Sequence, residues 1–214
     1  MVALLADVEV TRLKVKRELD LWKANSRPEE RGWILLGYDE LVPAVEIAFL
    51  SRVAISTGSA PLSVVVCAIR LTYENYDLWP PSLTFIDAFT RQPIKPHVRA
   101  FMPTPEGPRD ALIDGHPLTG QAFLCLPGIR EYHTHPQHSG DDWLIHRAAH
   151  EGSIANVCER IWRLMSRNVL GIGITTQALP MWPLQAQVTI HLAQGLVDSA
   201  VVPVQQQQGK SVQG

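Results

Sequence analysis

The segment from Ser63 to Tyr73 restricts the fold more than any other part of the sequence. It reads Ser-Val-Val-Val-Cys-Ala-Ile-Arg-Leu-Thr-Tyr, so β-branched and apolar residues dominate it and neither Gly nor Pro interrupts it. Such residues fit the pleated, half-buried surface of a β-strand. Two other β-prone runs, at residues 32–38 and 45–54, precede it and are separated by turn-forming residues. The succession predicts an antiparallel meander, and we expect a short strand at residues 82–86 to lie on the same sheet.

Two amphipathic helices are predicted, one before and one after these strands. The first spans residues 8–24 and ends before Ser26-Arg27-Pro28, and the second follows Ser153, whose hydroxyl is a suitable N-cap. Apolar residues recur at helical spacing in both: Val10, Leu13, Val15, Leu19 and Trp22 in the first, and Ile154, Val157, Cys158, Ile161, Trp162 and Met165 in the second. One more strand is expected at residues 185–192. The predicted fold class is therefore α+β, an antiparallel β-meander flanked by an N-terminal helix and a C-terminal helix.

Composition limits the domain organisation and the partners. With 214 residues, of which 46% are hydrophobic, the chain can bury one core, and we expect a single domain over residues 1–200. Residues 201–214 have little to bury and are expected to form a disordered tail. Lys and Arg are scattered and the net charge is −2, so we expect no nucleic-acid or membrane partner. Three cysteines do not describe a disulfide framework, which favours a cytoplasmic protein.

The segment from Cys125 to His150 is the main chemical anomaly, because it holds five of the eight histidines and one of the three cysteines. If residues 130–135 are extended, Glu131, His133 and His135 lie on one face, since side chains alternate along a strand. The turn-forming Leu126-Pro127-Gly128 could bring Cys125 over the two imidazoles. A thiolate and two imidazoles suit zinc, with Glu131 as the fourth ligand or as a partner of the ligands.

Simpler interpretations exist for several of these side chains. A solvated, His-rich loop would explain the histidines without a metal, and His138 in particular is expected to be exposed. Cys67 lies in the strongest strand and Cys158 on the apolar face of the second helix. Buried free cysteines mostly behave as small hydrophobic residues, so we assign both to the core.

The order Cys125, Glu131, His133, His135 resembles a predicted metal-binding domain named for its Cys-Glu-His-His signature. That domain occurs in bacterial operons that encode ubiquitin-like proteins together with activating and deconjugating enzymes. The resemblance implies a metal site at these four residues. It also implies a ubiquitin-like protein or its activating enzyme as the partner.

A second resemblance lies upstream and concerns ubiquitin-conjugating enzymes. Tyr76-Asp77-Leu78-Trp79-Pro80-Pro81-Ser82-Leu83-Thr84-Phe85 is similar to their Tyr-Pro-x-x-Pro-Pro-x-x-x-Phe segment, with Asp77 in place of the first proline. His116-Pro117 precedes Cys125 much as a His-Pro-Asn turn precedes the catalytic cysteine of that family. Both helices and the meander follow the same order, so over residues 8–167 the resemblance implies the fold of a ubiquitin-conjugating enzyme.

This chain departs from that family at two points. Leu118 stands where the family has an asparagine that stabilises the developing oxyanion, and the loss of one such donor costs on the order of a hundredfold in rate. About 30 residues separate Phe85 from His116, far more than in the family, so this region must be built differently.

A third resemblance uses the same histidines. His133-Thr134-His135-Pro136 is similar to the His-x-His-Pro core of JAB-type zinc isopeptidases, in which two histidines and a later aspartate hold zinc while a distant glutamate activates water. Here Ser139 and Asp141 follow His135 too closely for that pattern.

Three functions are consistent with the sequence, which leaves open whether the protein is an enzyme. The first, which the sequence favours, is a zinc-binding, conjugating-enzyme-like component of a bacterial ubiquitin-like modification pathway, and the other two are alternatives. The second is an active transferase that forms a thioester at Cys125, with His133 or Glu131 as the base. The third is a zinc hydrolase in which Cys125, His133 and His135 hold the metal and Glu131 is the general base. The first two compete, because a thiolate bound to zinc is a poorer acyl acceptor.

Overall fold

A four-stranded antiparallel sheet forms the centre of the molecule. The computed structural model describes residues 5–53, 61–179 and 185–194. The four strands are β1 (Trp33–Asp39), β2 (Ala44–Val53), β3 (Leu62–Thr72) and β4 (Ser82–Ile86), and they pair in that order. Because neighbours in the sequence are also neighbours in the sheet, the sheet is a meander. Helices precede and follow it, so the predicted α+β class is confirmed.

The central strands owe their stability to side chains that alternate between two apolar faces. In the β2–β3 pair, Ile47 lies opposite Ile69 and Phe49 opposite Cys67. Ile47 and Phe49 are fully buried in the main core, whereas Ala48 belongs to a small second cluster on the other face. Cys67 is 6% exposed, which confirms its assignment to the core.

The first helix, α1 (Val8–Asn25), begins at Asp7, whose carboxylate accepts hydrogen bonds from the backbone N–H groups of Glu9 and Val10. Its buried face consists of Thr11, Val15, Leu19 and Trp22. Val10 and Leu13, which the sequence placed on this face, are exposed, so the predicted helix is confirmed but its buried face is displaced. Trp22 stacks on Trp33 of β1, and this contact fixes α1 against the sheet.

The last α-helix described, α4 (Ile154–Leu164), begins as predicted at Ser153, whose hydroxyl accepts a hydrogen bond from the N–H of Asn156. Cys158 is fully buried on its apolar face. Glu18 of α1 accepts a hydrogen bond from the N–H of Ile154 at 3.1 Å and another from the Tyr76 hydroxyl. Burial raises the pKa of Glu18 despite these two donors. The carboxyl group therefore joins α1 to the start of α4.

Short elements connect β4 to α4 and carry the candidate site. They are two hairpins and two short helices: β5 (Phe101–Thr104) with β6 (Gly107–Asp110), β7 (Leu112–Ile113) with β8 (Phe123–Leu124), α2 (Arg130–His133) and α3 (Trp143–Ala148). A single 3-10 turn, Pro136–His138, separates the two helices.

A final antiparallel hairpin follows α4 and consists of β9 (Val169–Leu179) and β10 (Gln185–Gln194), which confirms the predicted strand at residues 185–192. The predicted domain end at residue 200 and the predicted tail, 201–214, lie outside the described residues. In the part of the chain that the structure describes, no helix is both long and apolar enough to cross a membrane.

Candidate functional site

Cys125 is the cysteine that is available for chemistry. It follows β8, and its backbone N–H donates a hydrogen bond to the carbonyl of Ala111 at 2.7 Å. Of the three cysteines, Cys67 and Cys158 are buried, whereas Cys125 is partly exposed. Its Sγ atom lies 3.0 Å from Nε2 of His138. A thiol and an imidazole at this distance form the kind of pair from which nucleophilic cysteines are built.

The electrostatic surroundings keep both members of this pair neutral. Burial raises the pKa of the Cys125 thiol, and the positive charge of Arg109 opposes this effect. Burial also lowers the pKa of His138, and His135 adds to that effect. Both shifts favour the neutral thiol and the neutral imidazole, and His138 accepts the thiol proton at Nε2 in the tautomer that carries its own proton on Nδ1. His138 is partly buried, so the prediction that it is exposed is wrong.

His138 is held in place by its neighbours in the chain. It ends the 3-10 turn, where its N–H donates to the carbonyl of His135 at 2.9 Å. Its ring stacks on Tyr132, with the ring centroids 3.9 Å apart and the planes inclined by 21°. The stacking fixes the plane of the imidazole and so limits the directions in which Nε2 can point.

Tyr132 is itself anchored by a chain of charged groups. Its hydroxyl donates to Asp141 at 2.6 Å, and His146 donates from Nε2 to the other oxygen of Asp141 at 2.6 Å and from Nδ1 to Glu151 at 3.2 Å. The hydrogen bonds from Tyr132 and His146 lower the pKa of Asp141. Burial disfavours the imidazolium of His146, but the two carboxylates outweigh it and raise its pKa. His146 thus lies between two carboxylates that favour its protonated form.

The turn that follows Cys125 is held in place by contacts with residues that come later in the chain. Gly128 has φ +93°, and a Cβ atom there would lie 2.7 Å from the backbone of Glu151, so only glycine fits. Its N–H donates to Nε2 of His133 at 3.3 Å, and Nδ1 of His133 donates to the carbonyl of Asp141 at 2.9 Å. Arg160 of α4 donates to the carbonyl of Pro127 and pairs with Glu151. Both nitrogens of His133 are therefore used to hold the loop.

Glu131 forms hydrogen bonds to β4 and does not take the predicted role of a zinc ligand or a partner of the ligands. It is 8% exposed, and its carboxylate accepts hydrogen bonds from the Ser82 hydroxyl and from the N–H of Leu83 at 3.0 Å. The prediction that residues 130–135 are extended is wrong, because Arg130–His133 is helical. These hydrogen bonds to β4 stabilise the helical turn, and Glu131, His133 and His135 consequently do not share one face.

The four predicted zinc ligands do not converge in this arrangement. Cys125 contacts His138, Glu131 binds β4 and His133 spans the loop, while Nδ1 of His135 accepts a hydrogen bond from the N–H of Gln137 and its ring stacks on Phe123. In the described part of the chain, no three His, Cys, Asp or Glu side chains come together where they would hold a metal ion. The zinc site does not fit these positions as they stand, and zinc binding stays a prediction.

His116 stabilises the candidate site through hydrogen bonds. The sequence pointed to this residue only through the His-Pro resemblance. It is 2% exposed, its Nδ1 accepts from the N–H of Leu118 at 3.2 Å, and its Nε2 donates to the carbonyl of Glu131 at 3.0 Å. The imidazole thus joins the loop before Cys125 to the helix after it. Leu118 is 74% exposed and offers no polar side-chain group to a reacting carbonyl.

Sequence reasoning missed His138 as the partner of Cys125. Thirteen positions separate the two residues, so no local periodicity relates them. The available signal was Pro127-Gly128, a turn that reverses the chain, followed by a second turn-former at Pro136. These turns return the chain to the cysteine.

Comparison with known proteins identifies a family and a similar bacterial protein. The Y4jH-like: Y4jH family matches residues 6–102 and 109–169, which include β1–β4, Cys125 and His138. A protein of Sinorhizobium fredii (strain NBRC 101917 / NGR234), described as "Uncharacterized protein y4jH", is 33% identical over 178 residues, which cover 72% of this chain and 82% of that protein. Residues 103–108, at the tip of the β5–β6 hairpin, fall outside the family match.

Proposed function

The chain belongs to the Y4jH-like family, and on that premise we propose that it is a cysteine-dependent acyl transferase of the ubiquitin-conjugating type, acting in a bacterial ubiquitin-like modification pathway. The observation that carries the proposal is the 3.0 Å contact between Sγ of Cys125 and Nε2 of His138. The ubiquitin-like substrate and its activating enzyme are proposed as partners from the sequence resemblance.

In the proposed first step, Nε2 of His138 takes the proton of the Cys125 thiol as Sγ attacks the carbonyl carbon of a donor thioester. A tetrahedral intermediate forms, the carbon–sulfur bond to the donor breaks, and the donor sulfur receives the proton from His138. The acyl group is then a thioester of Cys125. In the second step an acceptor amine attacks the same carbonyl carbon, its proton passes to Nε2 of His138, the carbon–sulfur bond to Cys125 breaks, and the proton returns from His138 to the sulfur to restore the thiol.

His138 suits the role of base better than the residues that the sequence suggested. Both nitrogens of His133 are engaged in hydrogen bonds, and the carboxylate of Glu131 is buried against β4. Nε2 of His138, in contrast, faces the thiol and belongs to a neutral imidazole. A base of lowered pKa is not already protonated near neutral pH, so it can accept the proton.

The order of elements adds support at the level of the fold. The meander lies between α1 and the later helices, and Cys125 follows a loop that His116 stabilises through hydrogen bonds on both ring nitrogens. This is the order that the resemblance to ubiquitin-conjugating enzymes implies. A fold hosts many chemistries, so the proposal depends on the Cys125–His138 pair rather than on the fold.

A zinc-binding role is the second candidate, and it rests on the sequence resemblance. His138 contacts Cys125 and its ring lies 5.7 Å from that of His135, but in the described part of the chain these groups do not form a set that would hold a metal ion. A zinc ion would use the sulfur that the transferase needs as its nucleophile. No comparable observation favours the hydrolase with His133 and His135.

The test is adduct formation on the purified full-length chain. The protein is mixed with a ubiquitin-like protein of its own organism, prepared as a C-terminal thioester, and its intact mass is recorded before and after treatment with a thiol reductant. We expect an adduct that the reductant removes, that Cys125→Ala abolishes and that Cys67→Ala retains. An adduct that survives Cys125→Ala, or none on the wild type, would overturn the proposal.

A further inference from the structure

A cavity of about 500 Å³ lies where the end of α4, the turn that follows it and the strands β1 and β2 meet. That turn is a 3-10 helix, Ser166–Asn168. The lining of the cavity includes neither Cys125 nor His138. Binding sites for small molecules usually have volumes of about 300–1,000 Å³, so the cavity is large enough for one.

Two buried hydrogen-bond donors line this cavity without a partner. Ser166 and Trp33 are each 1% exposed, and among the described residues nothing accepts a hydrogen bond from the Ser166 hydroxyl or from the Trp33 indole N–H. Buried polar groups are nearly always paired, because an unpaired one destabilises the fold. Since an indole N–H can only donate, the partner that would suit both groups is a hydrogen-bond acceptor.

Two arginines of the lining carry charges that no described carboxylate neutralises. Arg52, near the end of β2, and Arg167, in the 3-10 helix, are both exposed, and neither forms an ion pair within the described ranges. Arg31 also lines the cavity, but it pairs with Glu159. A guanidinium group has only donors, and its planar fork matches the oxygen atoms of a phosphate or a carboxylate.

The acidic side chains of the lining do not cancel this charge. Glu30 pairs with Arg27 at 3.6 Å. The exposed Glu29 is therefore the one carboxylate of the lining that has no ion pair among the described residues. The lining thus holds two unpaired guanidinium groups and one unpaired carboxylate, and this surplus of positive charge favours an anionic ligand.

An apolar wall completes the cavity. It includes Ile34, which is 46% exposed, together with the partly exposed Leu50 and Trp162. The Cζ atoms of Arg167 and Arg31 lie 5.9 Å and 5.8 Å from the centroid of the Trp162 ring. These cation–π contacts hold both guanidinium groups beside the apolar surface. A ligand that matches both features has an anionic head and an apolar body.

We propose that this cavity is a binding site for a small organic phosphate ester. The phosphoryl oxygens accept hydrogen bonds from the guanidinium groups of Arg52 and Arg167 and from the two buried donors, while the organic part packs on Trp162 and Ile34. A phosphate monoester carries about two negative charges near neutral pH, which match the two unpaired guanidinium groups. The site is independent of the chemistry proposed for Cys125.

Binding of phenyl phosphate to the purified full-length chain tests this site. Isothermal titration calorimetry at low salt measures the affinity and the stoichiometry for the wild type, Arg167→Gln and Ser166→Ala. Arg17→Gln is the control, because it removes the same charge from an exposed position on α1 outside the cavity. Inorganic phosphate, which has no apolar body, and phthalate, a dianion without a phosphoryl group, are titrated beside phenyl phosphate.

We expect the wild type to bind one phenyl phosphate per chain. Arg167→Gln should bind it at least about 10-fold more weakly, because hydrogen bonds between charged groups are the strong ones, and Ser166→Ala roughly 3- to 10-fold more weakly. Arg17→Gln should bind like the wild type. Ser166→Ala should leave the unfolding free energy of the ligand-free protein unchanged or higher, since its hydroxyl has no partner there.

The absence of phenyl phosphate binding to the wild type, or equal losses in Arg167→Gln and Arg17→Gln, would overturn the site. Inorganic phosphate that binds as tightly as phenyl phosphate would contradict the role of the apolar wall. Phthalate that binds as tightly would contradict the phosphate ester as the ligand class. A loss of binding in Ser166→Ala that comes with a lower unfolding free energy would contradict the role of its hydroxyl as a donor to the ligand.

Discussion

Sγ of Cys125 and Nε2 of His138 lie 3.0 Å apart, although thirteen positions separate the two residues in the chain. The contact depends on two turns and on the Tyr132 ring, which stacks on that of His138. The cysteine is partly exposed and the imidazole is neutral, so the pair can react with a reagent from solvent. The other two cysteines lie in the core.

Selective alkylation follows from this difference in burial. In the native protein, iodoacetamide should modify Cys125 while Cys67 and Cys158 stay intact, because burial raises the pKa of the Cys67 thiol to about 12 and raises that of Cys158 further still. Peptide mass mapping reports the modified positions. In denaturant all three should react, and rapid native labelling of Cys67 or Cys158 would contradict the described core.

Gly128→Ala tests the turn that returns the chain to Cys125. The substitution forces a side chain into a left-handed conformation and against the backbone of Glu151, so it should lower the free energy of unfolding by about 1–3 kcal/mol. Gly140→Ala is the matched control, since a Cβ there meets nothing within 4 Å. Chemical denaturation measures both, and equal effects of the two substitutions would contradict the turn.

Glu131→Ala separates the structural role of this carboxylate from the role of zinc ligand. Removing it leaves the N–H of Leu83 and the hydroxyl of Ser82 without their acceptor in the core, which should cost about 2–3 kcal/mol of unfolding free energy. Zinc content before and after the substitution is measured by elemental analysis. An unchanged stability with loss of stoichiometric zinc would favour the metal site instead.

His146 makes the stability of the loop dependent on pH. Its folded pKa is raised, so its contribution is complete below its ordinary pKa of about 6.5 and is lost as the pH rises through the folded pKa. From pH 6 to pH 9 the stability advantage of the wild type over His146→Gln should therefore shrink, by about 1 kcal/mol or less because Asp141 and Glu151 are partly exposed.

Thermal unfolding of both proteins across this pH range provides the measurement for His146. The exposed His97→Gln is the control for the replacement of a histidine elsewhere in the chain. An advantage of the wild type over His146→Gln that grows toward pH 9 would contradict the imidazolium between two carboxylates.

The fold could be predicted because its elements carry local signals. The strand at Leu62–Thr72 follows from a run of β-branched residues, and α4 follows from its apolar face and from Ser153 as its N-cap. The buried face of α1 could not be predicted correctly from the sequence, because apolar residues occur on two faces of this helix. Packing against β1 selects the face with Trp22, and Leu13 stays in solvent.

The candidate site could be located in the sequence but not assembled from it. Cys125 and the histidines marked the correct segment, yet the conformation of residues 130–135 depends on hydrogen bonds between Glu131 and β4, which no local pattern reveals. His138 reaches Cys125 only because Gly128 turns the chain. The prediction that Glu131, His133 and His135 share one face depended on the alternation of side chains along a strand. Contacts between residues distant in the sequence make this segment helical instead.

The rate of thioester formation at Cys125 in His138→Gln, compared with the wild type and with His97→Gln, tests the central claim most directly. General-base assistance is worth about 100-fold or more, so the account predicts that His138→Gln reacts at least about 100-fold more slowly near neutral pH. His97→Gln should react like the wild type, and the deficit of His138→Gln should narrow at high pH, where the thiol ionises without a base. Equal rates for all three proteins near neutral pH would contradict the pairing of Cys125 with His138 as the basis of function.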